Sequence, residues 1–193
     1  MPETKEDLRR RLRRARTDRT DHERATVAAA LARHGAALGG STIAAFVGVR
    51  SEPPTTMLLE ALRERGVQVL LPVLLADMDL DWAPFTGAAD LVEGRLRMLE
   101  PAGPPLGPEA IATADLVLVP ALAVDRGGRR LGQGGGSYDR ALHRTAAPVV
   151  AVVFGDEVLE TLPTEAHDLS VGGVLTPDRG LHWFRESPSA GTR

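Results

Sequence analysis

The stretch Asp115–Arg140, DLVLVPALAVDRGGRRLGQGGGSYDR, feeds an apolar segment into a glycine cluster and closes on a charged, aromatic tail. Residues 116–119 are aliphatic without alternation and stop at Pro120, the pattern of a strand covered on both faces. The loop beyond it therefore leaves the carboxyl end of a buried strand, the edge of an open α/β sheet where backbone amides and helix N-termini meet ligands. Gly132, Gly134, Gly135 and Gly136 remove side chains and admit positive φ, so successive N–H groups can turn inward around an anion such as phosphate. A mobile surface loop is the plainer alternative. The anion site is favoured by the helix expected next, Ser137 to Arg144, with Ser137 as its N-cap. Neither common nucleotide fingerprint fits, because Ser137-Tyr138-Asp139 follows the last glycine where a dinucleotide loop wants Gly or Ala and a P-loop wants Lys-Ser/Thr.

Outward from this loop, strands and helices alternate. Upstream, residues 3–16 put Leu8, Leu12 and Ala15 on one helical face and bring Lys5 and Arg9 one turn apart on a common side. Both cations could therefore grip one anion. Thr20 and Glu23 form a capping box for a second helix that ends at Gly35. Ile43–Val47 is the first expected strand; a turn-rich segment carrying Glu52 then leads to a helix with Met57, Leu58, Ala61 and Leu62, closed by Gly66. Glu52 falls at the same sheet edge as the glycine cluster if the strands are parallel, although a solvated loop acid is the commoner case. Val67–Val73 and Leu80–Trp82 are further strands. Residues 84–108, rich in Pro and Gly, form a long connection, either a lid or an ordinary insertion, and Glu109–Ala114 is a helical turn. Downstream come a buried strand at Val149–Phe154, a short helix at Glu157–Leu162 and a final strand at Val174–Thr176. The expected class is α/β, a three-layer, mostly parallel sheet with helices on both faces. Residues 1–185 are expected to form a single domain and 186–193 a disordered tail.

At 193 residues and 43% hydrophobic, the chain can bury one sizeable core. It has no cysteine, which excludes disulfides and thiolate metal sites and suits a cytoplasmic compartment. No apolar run approaches the ~20 residues of a membrane span. Net charge is -3, but residues 1–20 carry Lys5 and seven arginines against four acids, which gives +4 there and -7 elsewhere. A basic head on an acidic body suits either nucleic acid or a helix that brings cations to a bound nucleotide. Lys5 is the only lysine among 23 cationic residues, which favours a compact ammonium on a phosphate.

Taken in order, the motifs resemble the 5-formyltetrahydrofolate cyclo-ligases, also called 5,10-methenyltetrahydrofolate synthetases, over nearly the whole chain. The resemblance rests on Lys5-Glu-Asp-Leu-Arg9, on Val119-Pro-x-Leu-Ala-x-Asp125 with Arg130-Leu-Gly-x-Gly-x-Gly-x-Tyr-Asp-Arg140, on Leu162-Pro-x-Glu-x-His-Asp168, and on Val174-Leu-Thr. It implies a fold of the NagB/RpiA/CoA-transferase-like class and an ATP- and Mg²⁺-dependent conversion of 5-formyltetrahydrofolate to 5,10-methenyltetrahydrofolate, ADP and phosphate. The formyl oxygen is phosphorylated, N10 attacks the activated carbon, and phosphate leaves, so the protein mainly positions and neutralises charge.

Carried residue by residue, the resemblance implies that ATP is bound by Lys5, Arg9, Arg130, Leu131, Gly132, Gln133, Gly134, Gly135, Gly136, Ser137 and Tyr138. Substrate would be bound by Val47, Glu52, Gln133, Gly134, Gly135, Gly136 and Ser137. Tyr138 and Arg140 would be catalytic, and Asp139 and Asp168 would reach Mg²⁺, which takes few protein oxygens. The partners implied are 5-formyltetrahydrofolate and ATP, with no nucleic acid or membrane and a monomer or at most a weak dimer. Three departures stand out: Ser137 replaces the first of two tyrosines, Gly135 stands where some members have lysine, and Gly172 follows Val171 where many have aspartate. His167 is expected to orient the loop; His22, His34, His143 and His182 are expected at the surface.

Overall fold

A computed structural model describes residues 3–163 and 169–184; the tail expected at 186–193 lies outside the described residues. The chain begins with α1 (Lys5–Thr17) and α2 (Asp21–Gly35). The Thr4 side chain accepts from the Asp7 amide at the start of α1, and the expected Thr20/Glu23 capping box opens α2. Then follow β1 (Thr42–Ala44), α3 (Thr56–Glu64), β2 (Gln68–Leu74), β3 (Leu80–Pro84), and a small hairpin of β4 (Leu91–Glu93) and β5 (Leu99–Pro101). Beyond these come β6 (Leu116–Pro120), β7 (Ala123–Asp125), β8 (Arg130–Leu131), α4 (Ser137–Leu142), β9 (Val149–Val152), β10 (Val158–Leu159), β11 (Gly173–Thr176) and β12 (Gly180–Trp183).

Seven strands make one sheet in the order β12-β11-β9-β6-β1-β2-β3. The five inner strands are parallel, while β3 and β12 pair antiparallel at the two edges. Why the inner strands read as unbroken apolar runs is visible in their pleat. Ile43, Leu71, Leu118, Val152 and Leu175 join the cluster holding Leu31 of α2 and Leu58 and Leu62 of α3. Ala44, Leu70, Val117, Val119 and Ala151 join the opposite cluster with Ile111 and with Ala141 and Leu142 of α4. Both faces are buried, so alternation disappears from the sequence. The expected three-layer α/β class is the one found.

Four local expectations are corrected. Residues 157–162 do not form a helix: after a 3-10 turn at Gly155–Glu157, β10 pairs parallel with β7. β7, β8 and β10 form a second, three-stranded sheet between the central strand and the glycine loop, where a direct exit was expected. Its apolar residues cover α1, because Leu122, Leu131 and Leu162 pack on Leu8 and Leu12. The buried row of α1 continues at Arg16, while Ala15 is exposed; spacing of i, i+4, i+8 decides the face, and a buried partner neutralises the guanidinium. Finally, Ser137 is the first residue of α4 and not its cap. Gly136, at φ 71° in the left-handed region, is the cap, a conformation in which glycine avoids the Cβ clash.

Strand order reverses between β1 and β6: the chain builds outward to β2 and β3 on one side, and to β9, β11 and β12 on the other. Ligands of open α/β sheets bind beyond the carboxyl ends of strands at such a crevice.

Candidate active site at the strand switch point

Beyond β1, the chain turns tightly at residues 46–55. The Thr55 hydroxyl donates to the Phe46 carbonyl at 2.6 Å and accepts from the Gly48 amide at 2.8 Å. A side chain at Gly48 would run into the Pro53 carbonyl oxygen, so only glycine closes this turn. Arg24 of α2 donates to the carbonyls of Arg50 and Glu52 at 2.7 and 3.0 Å. The Glu52 carboxylate accepts from the Val49 amide at 3.1 Å. Burial lifts the Glu52 carboxyl above the usual carboxylate range, with the Val49 amide, Arg16, Gln133 and Arg50 opposing.

Across the crevice, the loop after β8 carries the glycines. Arg9 Nε donates to the Gly132 carbonyl at 3.0 Å, so α1 is fastened directly to the loop. Arg130, nearly buried, pairs with the Asp139 carboxylate and reaches the Pro120 carbonyl. The Tyr138 ring packs into both sheet cores, and its hydroxyl, shut off from solvent, has no partner among the described residues. Burial, then the Glu52 charge, raise the phenol's pKa, which keeps it a neutral donor at any physiological pH.

Two pockets meet here. One, of about 240 Å³, is mostly apolar and is lined by Phe46, Val47, Pro72, Leu74, Met98 and Leu99, with Glu52 and Tyr138 among its polar groups. The other, a cleft of about 500 Å³, is lined by Lys5, Arg9, Arg130, Arg140 and His143, with Asp139 its one acid among the described residues. Arg130, Gly132, Gly134, Gly136 and Asp139 line both. The glycine loop is thus the common wall of an apolar chamber and a cationic cleft.

Most expected site residues converge on these pockets. Lys5 and Arg9 line the cationic cleft only, Val47, Glu52, Gln133, Gly135 and Ser137 the apolar chamber only. Leu131 turns its side chain into the core under α1, which leaves its backbone alone to face a ligand. Arg140 lines the cleft but spends one amino group on the Met78 carbonyl, at 2.6 Å. Asp168 and His167 lie outside the described residues, although Leu169 lines the cleft. Gly172 lines neither pocket and sits beside the Trp183 ring.

Some contributions had no local signal. The hairpin at 91–101 supplies Leu96, Met98 and Leu99 to the chamber, and Glu100 pins it by accepting from the Leu74 amide at 2.9 Å. Asp125 of the resembling motif is structural: its buried carboxylate accepts from the amides of Gly127, Arg129 and Leu162. Of the histidines expected at the surface, His34 is half-buried, with Nε2 3.1 Å from the Pro177 carbonyl, and His143 lines the cleft. The basic head is engaged with the chain's own groups. Arg10 pairs with Asp7, Arg11 with Glu3, Arg16 with Glu157 and Arg19 with Asp156. Among the described residues, no helix is long and apolar enough to cross a membrane.

This arrangement has relatives. A 5-formyltetrahydrofolate cyclo-ligase of Mycolicibacterium smegmatis is 46% identical over 154 residues, 76% of this chain and 79% of that protein. The Escherichia coli protein of the same name is 32% identical over 148 residues, 74% and 81% of the two chains. The NMR structure of Aquifex aeolicus 5,10-methenyltetrahydrofolate synthetase superposes with a TM-score of 0.81 at 25% identity, covering 98% of this chain and 97% of that one. A Mycoplasma pneumoniae synthetase shares the fold at a TM-score of 0.69 and 17% identity, over 88% and 96%. The family model itself matches residues 1–177, from the helix that carries Lys5 and Arg9 through β11, and the chain belongs to the 5-formyltetrahydrofolate cyclo-ligase family.

Proposed function

We propose that this chain catalyses the ATP-dependent cyclisation of 5-formyltetrahydrofolate to 5,10-methenyltetrahydrofolate, releasing ADP and phosphate. What supports this is the shared glycine wall: an apolar chamber and a cationic cleft are lined by the same loop. The reaction needs that layout, because a formyl oxygen must meet a phosphoryl group while the pterin and the triphosphate are held apart.

In this reading, Lys5, Arg9, Arg130 and Arg140 neutralise the triphosphate from the cleft, and the amides of residues 132–136 cradle it. Val47 and its apolar neighbours receive the pterin, whose N–H groups donate to Glu52. The formyl oxygen bonds to the γ-phosphorus as ADP leaves. N10 then attacks the formyl carbon, the C–O bond breaks, and phosphate departs with that oxygen and the N10 proton. Asp139 would hold Mg²⁺: its carboxylate opens on both pockets, and pairing with Arg130 leaves an oxygen for a hard cation. Asp168 is its expected companion. Bound there, the metal would offset phosphate charge. The described residues contain no cluster of three His, Cys, Asp or Glu able to hold a metal alone, so other ligands would come from phosphate and water.

The direct test incubates purified protein with 5-formyltetrahydrofolate, ATP and Mg²⁺ and follows the methenyl absorbance. No absorbance change sinks the proposal. Tyr138 supplies a second check. Removing its unpartnered hydroxyl in Tyr138→Phe should leave stability unchanged or higher by about 1 kcal/mol, yet slow turnover by about tenfold if the phenol donates to the reacting formyl group. Unchanged turnover would reduce Tyr138 to packing.

A further inference from the structure

The tip of the loop that carries Glu52 is a tight turn. The Glu52 amide donates to the Val49 carbonyl at 3.0 Å, and the Val49 amide donates back to the Glu52 carboxylate at 3.1 Å, so the turn and the direction of the acid are set together. Both residues line the apolar chamber. The turn passes through Arg50 at φ 53°, left-handed backbone that a side chain disfavours and glycine does not. Arg24, one residue beyond the capping box that opens α2, reaches across to this turn. Its Nη2 donates to the Arg50 carbonyl at 2.7 Å and to the Glu52 carbonyl at 3.0 Å. That nitrogen carries two protons, one for each carbonyl, and the two carbonyls bracket Ser51. Arg24 itself lines neither pocket.

We propose that Arg24 is a positioning residue for folate binding: from α2 it holds the Val49–Glu52 turn in its left-handed form, and so keeps the Glu52 carboxylate on the wall of the apolar chamber. This role rests on Glu52 being the pterin acceptor. Arg24 touches no reacting atom. It supplies two charge-assisted bonds that offset the unfavourable backbone at Arg50. Without them the turn relaxes toward negative φ, the bridge between Val49 and Glu52 opens, and the carboxylate swings away. Only the fraction of molecules with the turn closed then binds pterin at full strength, and the apparent affinity falls by that fraction.

The test measures kcat and the KM values for 5-formyltetrahydrofolate and for ATP in Arg24→Ala, Arg24→Lys, Arg50→Gly and Glu52→Ala, and in Arg24→Ala combined with each of the last two. Arg24→Ala should raise the folate KM about three- to tenfold, the worth of the lost hydrogen bonds, and leave kcat and the ATP KM within about twofold. Arg24→Lys, which keeps a cationic donor, should recover part of that rise. In the Arg50→Gly background, Arg24→Ala should cost less than it does beside Arg50, because glycine takes the left-handed φ freely and the turn no longer needs holding. In the Glu52→Ala background it should add nothing, since there is no carboxylate left to place. Equal rises in both KM values would mean a loosened α2 and overturn the proposal, as would an Arg24→Ala effect of the same size in all three backgrounds. Should Glu52→Ala itself leave the folate KM unchanged, the pterin role of Glu52 falls and takes the proposal with it. An unchanged folate KM in Arg24→Ala beside a raised one in Glu52→Ala overturns the role of Arg24 alone.

Discussion

Arg16→Met should lower folding stability by about 3–5 kcal/mol, measured as a shift in urea midpoint, because it strands a buried carboxylate. The Arg16 side chain is 1% exposed; its Nε and Nη2 bond the two Glu157 oxygens at 2.6 and 2.8 Å, and Nη2 also donates to the Ala121 carbonyl at 2.5 Å. Glu157 in turn accepts from the Phe154 amide at 2.9 Å. Burial lifts the Glu157 carboxyl above the ordinary range, with the Arg16 bond opposing. A carboxyl whose folded pKa is raised stabilises the fold fully below its unfolded pKa, and that contribution is lost as pH rises through the folded one. Removing Arg16 pushes the folded value further up. The loss in Arg16→Met should therefore be larger near pH 8 than near pH 5, where Glu157 takes up a proton. Adding Glu157→Gln should recover part of it, since an amide oxygen can still serve the Phe154 amide without a stranded charge. A loss independent of pH would show that packing, and not the ion pair, is what Arg16 supplies. The ion pair also fastens α1, which carries Lys5 and Arg9 to the cleft, so the ATP KM should rise in the same variant.

Asp139→Asn should cut kcat by about 10²-fold, the scale on which losing a charge at a metal or transition-state site acts, while stability stays within about 1 kcal/mol. The substitution keeps the shape, and the amide oxygen can still accept from Arg130. What it loses is the negative charge of an acid that lines both pockets. If Asp139 holds the metal, the Mg²⁺ concentration for half-maximal rate should increase in parallel. A reduced kcat with an unmoved Mg²⁺ dependence would assign Asp139 to orienting Arg130 alone.

The sequence by itself determined the layers and the loop. Unbroken aliphatic runs at 116–119 and 149–152 fit a parallel sheet covered on both faces, and the glycine cluster at 132–136 admits the positive φ that Gly134 and Gly136 adopt. Lys5 and Arg9 were legible because a helix repeats every 3.6 residues, and one turn puts them on one side. Three things were decided by tertiary structure alone. Arg16 is buried because Glu157 waits 141 positions away, a pairing that no local window contains. Residues 158–159 are a strand because Val124 offers them an edge; their apolar content fits a short helix equally well. Gln133 is more than a loop residue because Arg13 of α1 holds both its side-chain oxygen and its backbone carbonyl. Periodicity records what neighbours along the chain will do. It holds no record of which distant group will neutralise a buried charge or orient an amide, and the site between the two pockets is made of such pairs.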